Sequence, residues 1–74
     1  MNATITVVKV TGHAKWAEKC VMNKTPNEAR YRTHFYKSDA IHNAKEWEVY
    51  DDMDRNYWHN FNSLEDLGIA EKTL

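Results

Sequence analysis

A handful of side chains in this 74-residue sequence could do chemistry, and their spacing decides which kind. Asp52, Asp54 and Asn56 open like a calcium loop, in which alternate oxygen ligands meet the ion. The sixth place of such a loop is Tyr57 where the sharp turn needs Gly, and the twelfth is Ser63 where a bidentate Glu is needed. The run therefore reads as an acidic turn. His13, His34, His42, His59 and Cys20 show no short paired spacing of the zinc type. Ser38 and Ser63 read as helix caps, and Gly12 and Gly68 are too few for a nucleophile elbow or a glycine-rich phosphate cradle. Cys20 follows Lys19, a neighbour that lowers a thiol pKa, although a lone Cys on a half-apolar segment more often packs as a small hydrophobe. Glu46 and Glu48 would share a strand face, but acid–base work also needs a pocket. No catalytic residue, cofactor or metal site is expected.

Two binding constellations stand out instead. In residues 29–36, Ala29, Tyr31, Thr33 and Phe35 alternate with Arg30, Arg32 and His34. A period of two predicts a strand with a buried face and a basic face. Arg30, Arg32 and His34, with Lys37 at the strand end, form a candidate nucleic-acid face, because guanidinium groups suit phosphate. Lys9, Lys15, Lys19 and Lys24 would extend it if the first three strands share a sheet. Base stacking also needs aromatic rings on that face, and only Tyr36 points with the arginines. The second constellation is Tyr50, Asp51, Asp52, Asp54, Tyr57 and Trp58, an acidic and aromatic hairpin tip. Exposed Trp and Tyr anchor protein interfaces, and carboxylates around them steer towards a partner with a basic surface. The bland alternatives are a solvated outer face for the first, and for the second a soluble turn over a core of Trp47, Tyr57 and Phe61.

The charge distribution follows the same division. Residues 1–37 hold seven Lys and Arg against two Glu, a net of +5, and residues 38–74 hold three against nine acids, a net of −6. The overall charge of −1 hides this split. Either the halves fold against each other, or they present two faces to two kinds of partner.

The elements that must position these residues can be read from pattern. Residues 3–10 are largely β-branched and predict a strand. Thr11-Gly12-His13 is a tight turn, and residues 14–22 form a second strand, with a helix as the competing periodicity. Thr25-Pro26-Asn27-Glu28 is a turn with Pro at its second place. Ser38 resembles an N-cap for a helix over 39–46, followed by a hairpin that pairs Glu46–Tyr50 with Tyr57–Phe61. Asn62-Ser63 caps a final helix that Gly68 keeps short. Tyr36-Lys37-Ser38 and Phe61-Asn62-Ser63 echo one another as strand end and cap. The fold class expected is α+β: an antiparallel sheet of three to five strands with one or two short helices packed on one side, as a single domain over 1–74. Leu, Ile, Val and Phe together are 13 of the 74 residues, so aromatic rings must supply much of the core.

One Cys permits no internal disulfide, the N-terminus reads as no leader, and no run is long enough to span a bilayer. A cytoplasmic protein without a membrane role is expected. In its general look the sequence is similar to small early proteins of bacteriophages. The stretch from Phe35-Tyr36-Lys37-Ser38 to Glu46-Trp47 resembles the strand–helix segment of small phage inhibitors of bacterial RNA polymerase. That resemblance implies a protein that occludes a host machine. The functional expectation is a non-enzymatic binding or regulatory protein, phage-encoded, that inhibits or redirects host transcription or a defence system from within the host cytoplasm. The alternative is a small nucleic-acid-binding module that uses the Arg30/Arg32/His34 face.

Overall fold

The computed structural model describes residues 3–48 and 60–72. Three strands, Ala3–Lys9 (β1), Trp16–Met22 (β2) and Ala29–His34 (β3), form an antiparallel meander in the order β1-β2-β3. A helix, Lys37–Glu48 (α1), follows, and a single turn, Leu64–Leu67 (α2), comes near the end. This is a small α+β domain, as the pattern of the sequence predicts. The meander is set by its turns. Glu28 N–H donates to Thr25 O at 3.0 Å, closing the turn in which Pro26 supplies the preset φ. The β1–β2 connection uses Gly12 at φ +93°. A Cβ there would also meet Ile69 Cγ2 at 3.3 Å, so Gly12 serves the crossing of two segments as well as the turn.

Register assigns every strand residue to a face. Glu18 pairs across from Val7 and Arg32, and Cys20 from Ile5 and Arg30, so these six share one face. Ala17 pairs with Val8 and Thr33, and Lys19 with Thr6 and Tyr31, on the other. The first face is covered by α1. Ala40 and Ala44, four apart, are buried, and their small side chains let the helix lie close to the sheet. Asn43 ties it down: Arg32 Nη2 donates to Asn43 Oδ1 at 3.1 Å, and Asn43 Nδ2 donates to Asp39 O at 2.8 Å. Phe61 completes this side in a cluster with Ala3 and Cys20.

The opposite face is covered by the chain's last described segment. After Phe61 the backbone runs beside β3, where Tyr31 N–H donates to Asn62 O at 2.6 Å and Asn62 N–H to Tyr31 O at 2.8 Å. It then crosses the sheet, laying Leu64, Leu67 and Ile69 over Val10, Ala17 and Tyr31. It ends on the far side, where Thr11 N–H donates to Ala70 O and Lys72 N–H to Lys9 O. Residues 61–72 thus form a strap that wraps round the β3 edge and reaches the end of β1. Inside it, Ser63 caps α2 by accepting from Asp66 N–H at 3.1 Å, and Gly68 ends it in the left-handed region at φ +67°. The predicted cap and stop both hold here.

Three local expectations do not. The helix α1 begins at Lys37, and Ala40 N–H donates to Tyr36 O, so Ser38 lies inside the first turn and is not the cap. The echo between Tyr36-Lys37-Ser38 and Phe61-Asn62-Ser63 is therefore one of composition only. Residues 46–48 continue α1 and do not open a strand; Asp39 near its start and Lys45 near its end suit the helix dipole. The remainder of the expected hairpin, from Val49 to His59, lies outside the described residues, as do the side chain of Trp47 and the ring of Tyr57. Among the described residues no helix is long and apolar enough to cross a membrane.

Candidate functional site

The basic strand face takes a different form from the one its alternation predicts. Arg32 and His34 point at the α1-covered side of the sheet, towards Glu18 on the neighbouring strand. Glu18 is fully buried, and its Oε1 lies 3.3 Å from Arg32 Nε and 2.5 Å from His34 Nε2. Its Oε2 is buried without a hydrogen-bond partner among the described residues. Burying a carboxyl group demands a partner, and the cross-strand register supplies two. The guanidinium of Arg32 is further engaged by Asn43 and sits 5.8 Å from the Phe61 ring centroid. Arg30 is half-buried on the same face. Of the expected solvated Arg30/Arg32/His34 surface, Arg32 and His34 are thus turned inward by Glu18, which breaks the apolar alternation of β2, while Arg32 keeps about a third of its side chain exposed. That interruption at Glu18 was the signal available in the sequence.

Phe35 is a second correction. Alternation places it on the buried face of a strand, but β3 ends at His34, and Phe35 is 71% exposed with Tyr36 beside it at 69%. They occupy the two-residue link between β3 and α1. Both sheet faces are already covered, so neither ring has a place in the core. They are the large apolar side chains that the described surface presents most fully.

Cys20 is fully buried, and burial, helped by the charge of Glu18, pushes its thiol up to about 11. At neutral pH it stays protonated and is a poor nucleophile. Lys19 does not lower it, since adjacent strand residues point to opposite faces. Lys19 Nζ instead lies 3.2 Å from Glu71 Oε2, and Tyr31 Oη donates to the same oxygen at 2.9 Å. The Tyr31 hydrogen bond first, and then Lys19, hold the Glu71 carboxyl below its usual range. Lys19 is raised by its bond to Glu71, and the Tyr31 hydroxyl is raised mainly by burial.

The lysines gather elsewhere. Lys9, at the end of β1, and Lys37, at the start of α1, hold their ammonium groups 5.3 and 5.1 Å from the Trp16 ring centroid. Trp16 starts β2, directly across from Lys9 and His34, so all three elements converge at one end of the sheet. A groove of about 470 Å³ opens there, lined by Lys9, Trp16, Lys37, Glu71 and Lys72 among others. A second, of about 290 Å³, adjoins it and adds Lys15. Of the lysines proposed from sequence to extend a patch, Lys9 and Lys15 belong to this one, Lys19 faces away and Lys24 lies in the β2–β3 turn. Lys37, expected to accompany the arginines, belongs here too, whereas Lys72 and Trp16 were not anticipated. Lys72 arrives from the far end of the chain through its backbone bond to Lys9, which no local pattern announces.

Among the described residues no group of three or more His, Cys, Asp or Glu could hold a metal ion. The acidic and aromatic residues Tyr50, Asp51, Asp52, Asp54, Tyr57 and Trp58 lie outside the described residues. The chain matches no family model, no curated protein and no solved structure.

Proposed function

We propose that this chain is a non-enzymatic binding protein that works by covering a surface of a larger protein. The class of target proposed is the one expected from sequence: a bacterial host's transcription or defence machinery, met in the host cytoplasm by a phage-encoded inhibitor. The observation that supports it is the Phe35–Tyr36 pair. Two adjacent large rings, each about seven-tenths exposed, sit at a corner of a domain whose sheet is already covered on both faces. Keeping them in water forgoes on the order of 1.5–3 kcal/mol of burial each, an arrangement that suits anchors of an interface. The short link holds them on a rigid frame between β3 and α1, so little ordering entropy is lost on docking. The segment holding Tyr50, Asp51, Asp52, Asp54, Tyr57 and Trp58 stays in the proposal as the part that meets basic groups of the partner.

The test is capture of protein from a bacterial lysate by the full tagged chain at physiological salt, with and without Phe35→Ser plus Tyr36→Ser. Both rings are exposed, so the double variant keeps its helical and sheet signal and its urea midpoint. A defined protein is expected with the natural chain and at least tenfold less with the double variant. Retention of no protein, or equal retention by both chains, would overturn the reading.

A further inference from the structure

We infer that the groove around Trp16 is a binding site for single-stranded nucleic acid, with backbone phosphates on Lys9, Lys37 and Lys72 and a base against the Trp16 ring. This site adjoins the Phe35–Tyr36 corner through Lys37 but does not rest on the protein-binding reading. Three observations carry it. First, the cations are uncompensated: among the described residues no carboxylate lies within ion-pair distance of Lys9, Lys15, Lys37 or Lys72. The acid in the groove wall, Glu71, is already engaged by Lys19 and by the Tyr31 hydroxyl. Second, two ammonium groups rest on one indole ring at 5.3 and 5.1 Å. With no ion pair to these lysines among the described residues, the ring is the partner that Lys9 and Lys37 share. A phosphate is a better one, and when it draws the ammonium groups away it frees a ring face for a base. The same event thus binds the backbone and uncovers the stacking surface. Third, the groove is open and of nucleotide dimensions, and its neighbour continues it past Lys15, giving a path for a chain of phosphates.

These are the two parts that sequence-tolerant recognition of single strands requires: a cationic track and an aromatic platform. An acidic peptide would satisfy the lysines but gives the indole no reason to be at their centre. A duplex hides its bases and offers the ring nothing to stack on.

The experiment measures fluorescence anisotropy of a labelled single strand of about twelve nucleotides with the full chain, across a salt series. Each phosphate held by a lysine adds about −0.7 to the slope of log affinity against log salt, so a slope near −2 is expected from three contacts. Lys9→Gln, Lys37→Gln and Lys72→Gln should each lower that slope by about 0.7 and weaken binding several-fold. Lys24→Gln, with the same change in net charge but in the distant β2–β3 turn, should leave slope and affinity unchanged. Trp16→Leu should weaken binding roughly tenfold with the slope preserved. If that variant is unfolded by circular dichroism, Trp16→Phe, which keeps a smaller ring, should give an intermediate loss. Absence of binding at low salt would overturn the inference. So would an equal effect of Lys24→Gln, indifference to both Trp16 changes, equal affinity for a duplex, or displacement of the strand by polyglutamate at matched charge. Phe35 and Tyr36 are untouched throughout, so these outcomes are independent of the lysate capture.

Discussion

The two faces of the sheet are built on different principles. On the side covered by the strap, Val10, Ala17, Tyr31, Leu64, Leu67 and Ile69 make an apolar layer, and charge appears only at its rim, where Glu71 meets Lys19 and the Tyr31 hydroxyl. On the side covered by α1, a carboxyl group lies fully buried beside Cys20, clasped by Arg32 and His34. The apolar face asks only for volume. The charged face asks for particular partners in a particular register, because a slip of one residue would send Glu18 to the other side without them. One face supplies cohesion and the other fixes which strand pairing and which helix position are native.

That comparison can be broken in order of expected effect. Phe61→Ala should cost most, about 3–5 kcal/mol in urea unfolding, since a fully buried ring is lost where the strap turns round the sheet edge. A loss below 1 kcal/mol would show that the α1 side does not depend on it. Glu18→Ala should cost roughly 3 kcal/mol, the low end for breaking a buried pair, because Arg32 is itself about a third exposed. Added to Arg32→Ala it should cost much less than the sum, and strict additivity in the double-mutant cycle would refute the clasp. Ser63→Ala and Gly68→Ala should each cost about 1 kcal/mol, the first through the lost cap and the second through the left-handed backbone. Smallest is the rim. Glu71 is held below its usual range, so the stability it adds is present above that range and is lost as pH falls through its lowered value. Glu71→Gln should therefore flatten the acid limb of the stability curve, by no more than about 1 kcal/mol for a pair this exposed. An unchanged acid limb would remove Glu71 from the account.

The fold was legible where local rules decide. The β-branched run of β1, the Pro26 turn and the Ser63–Gly68 bracket around α2 each follow from backbone preference. The alternation of β3 is legible too, and its Tyr31 face is buried as expected, but alternation does not say that the Arg32 face is covered as well. A row of Arg30, Arg32 and His34 looks like an outer surface until Glu18 is placed opposite. The Trp16 groove was less legible still. Its lysines come from β1, the following turn, α1 and the end of the strap, and only the chain's return to Lys9 assembles them. The charge split of the sequence resolves in part. Lys19 and Glu71 join the basic and acidic halves locally, while Lys9, Lys15, Lys37 and Lys72 form no ion pair among the described residues.

The strap also has a consequence in time. Its bridges join Tyr31 to Asn62 and Val10 to Glu71, pairs remote in sequence, whereas the meander joins neighbours. Loop closure makes remote pairings late events, so the meander is expected to assemble first and the strap to settle afterwards. Substitutions in Leu64, Leu67 or Ile69 would then leave the refolding rate nearly unchanged and appear almost wholly as faster unfolding. The lifetime of the folded state, rather than the speed of reaching it, is what the last dozen described residues control.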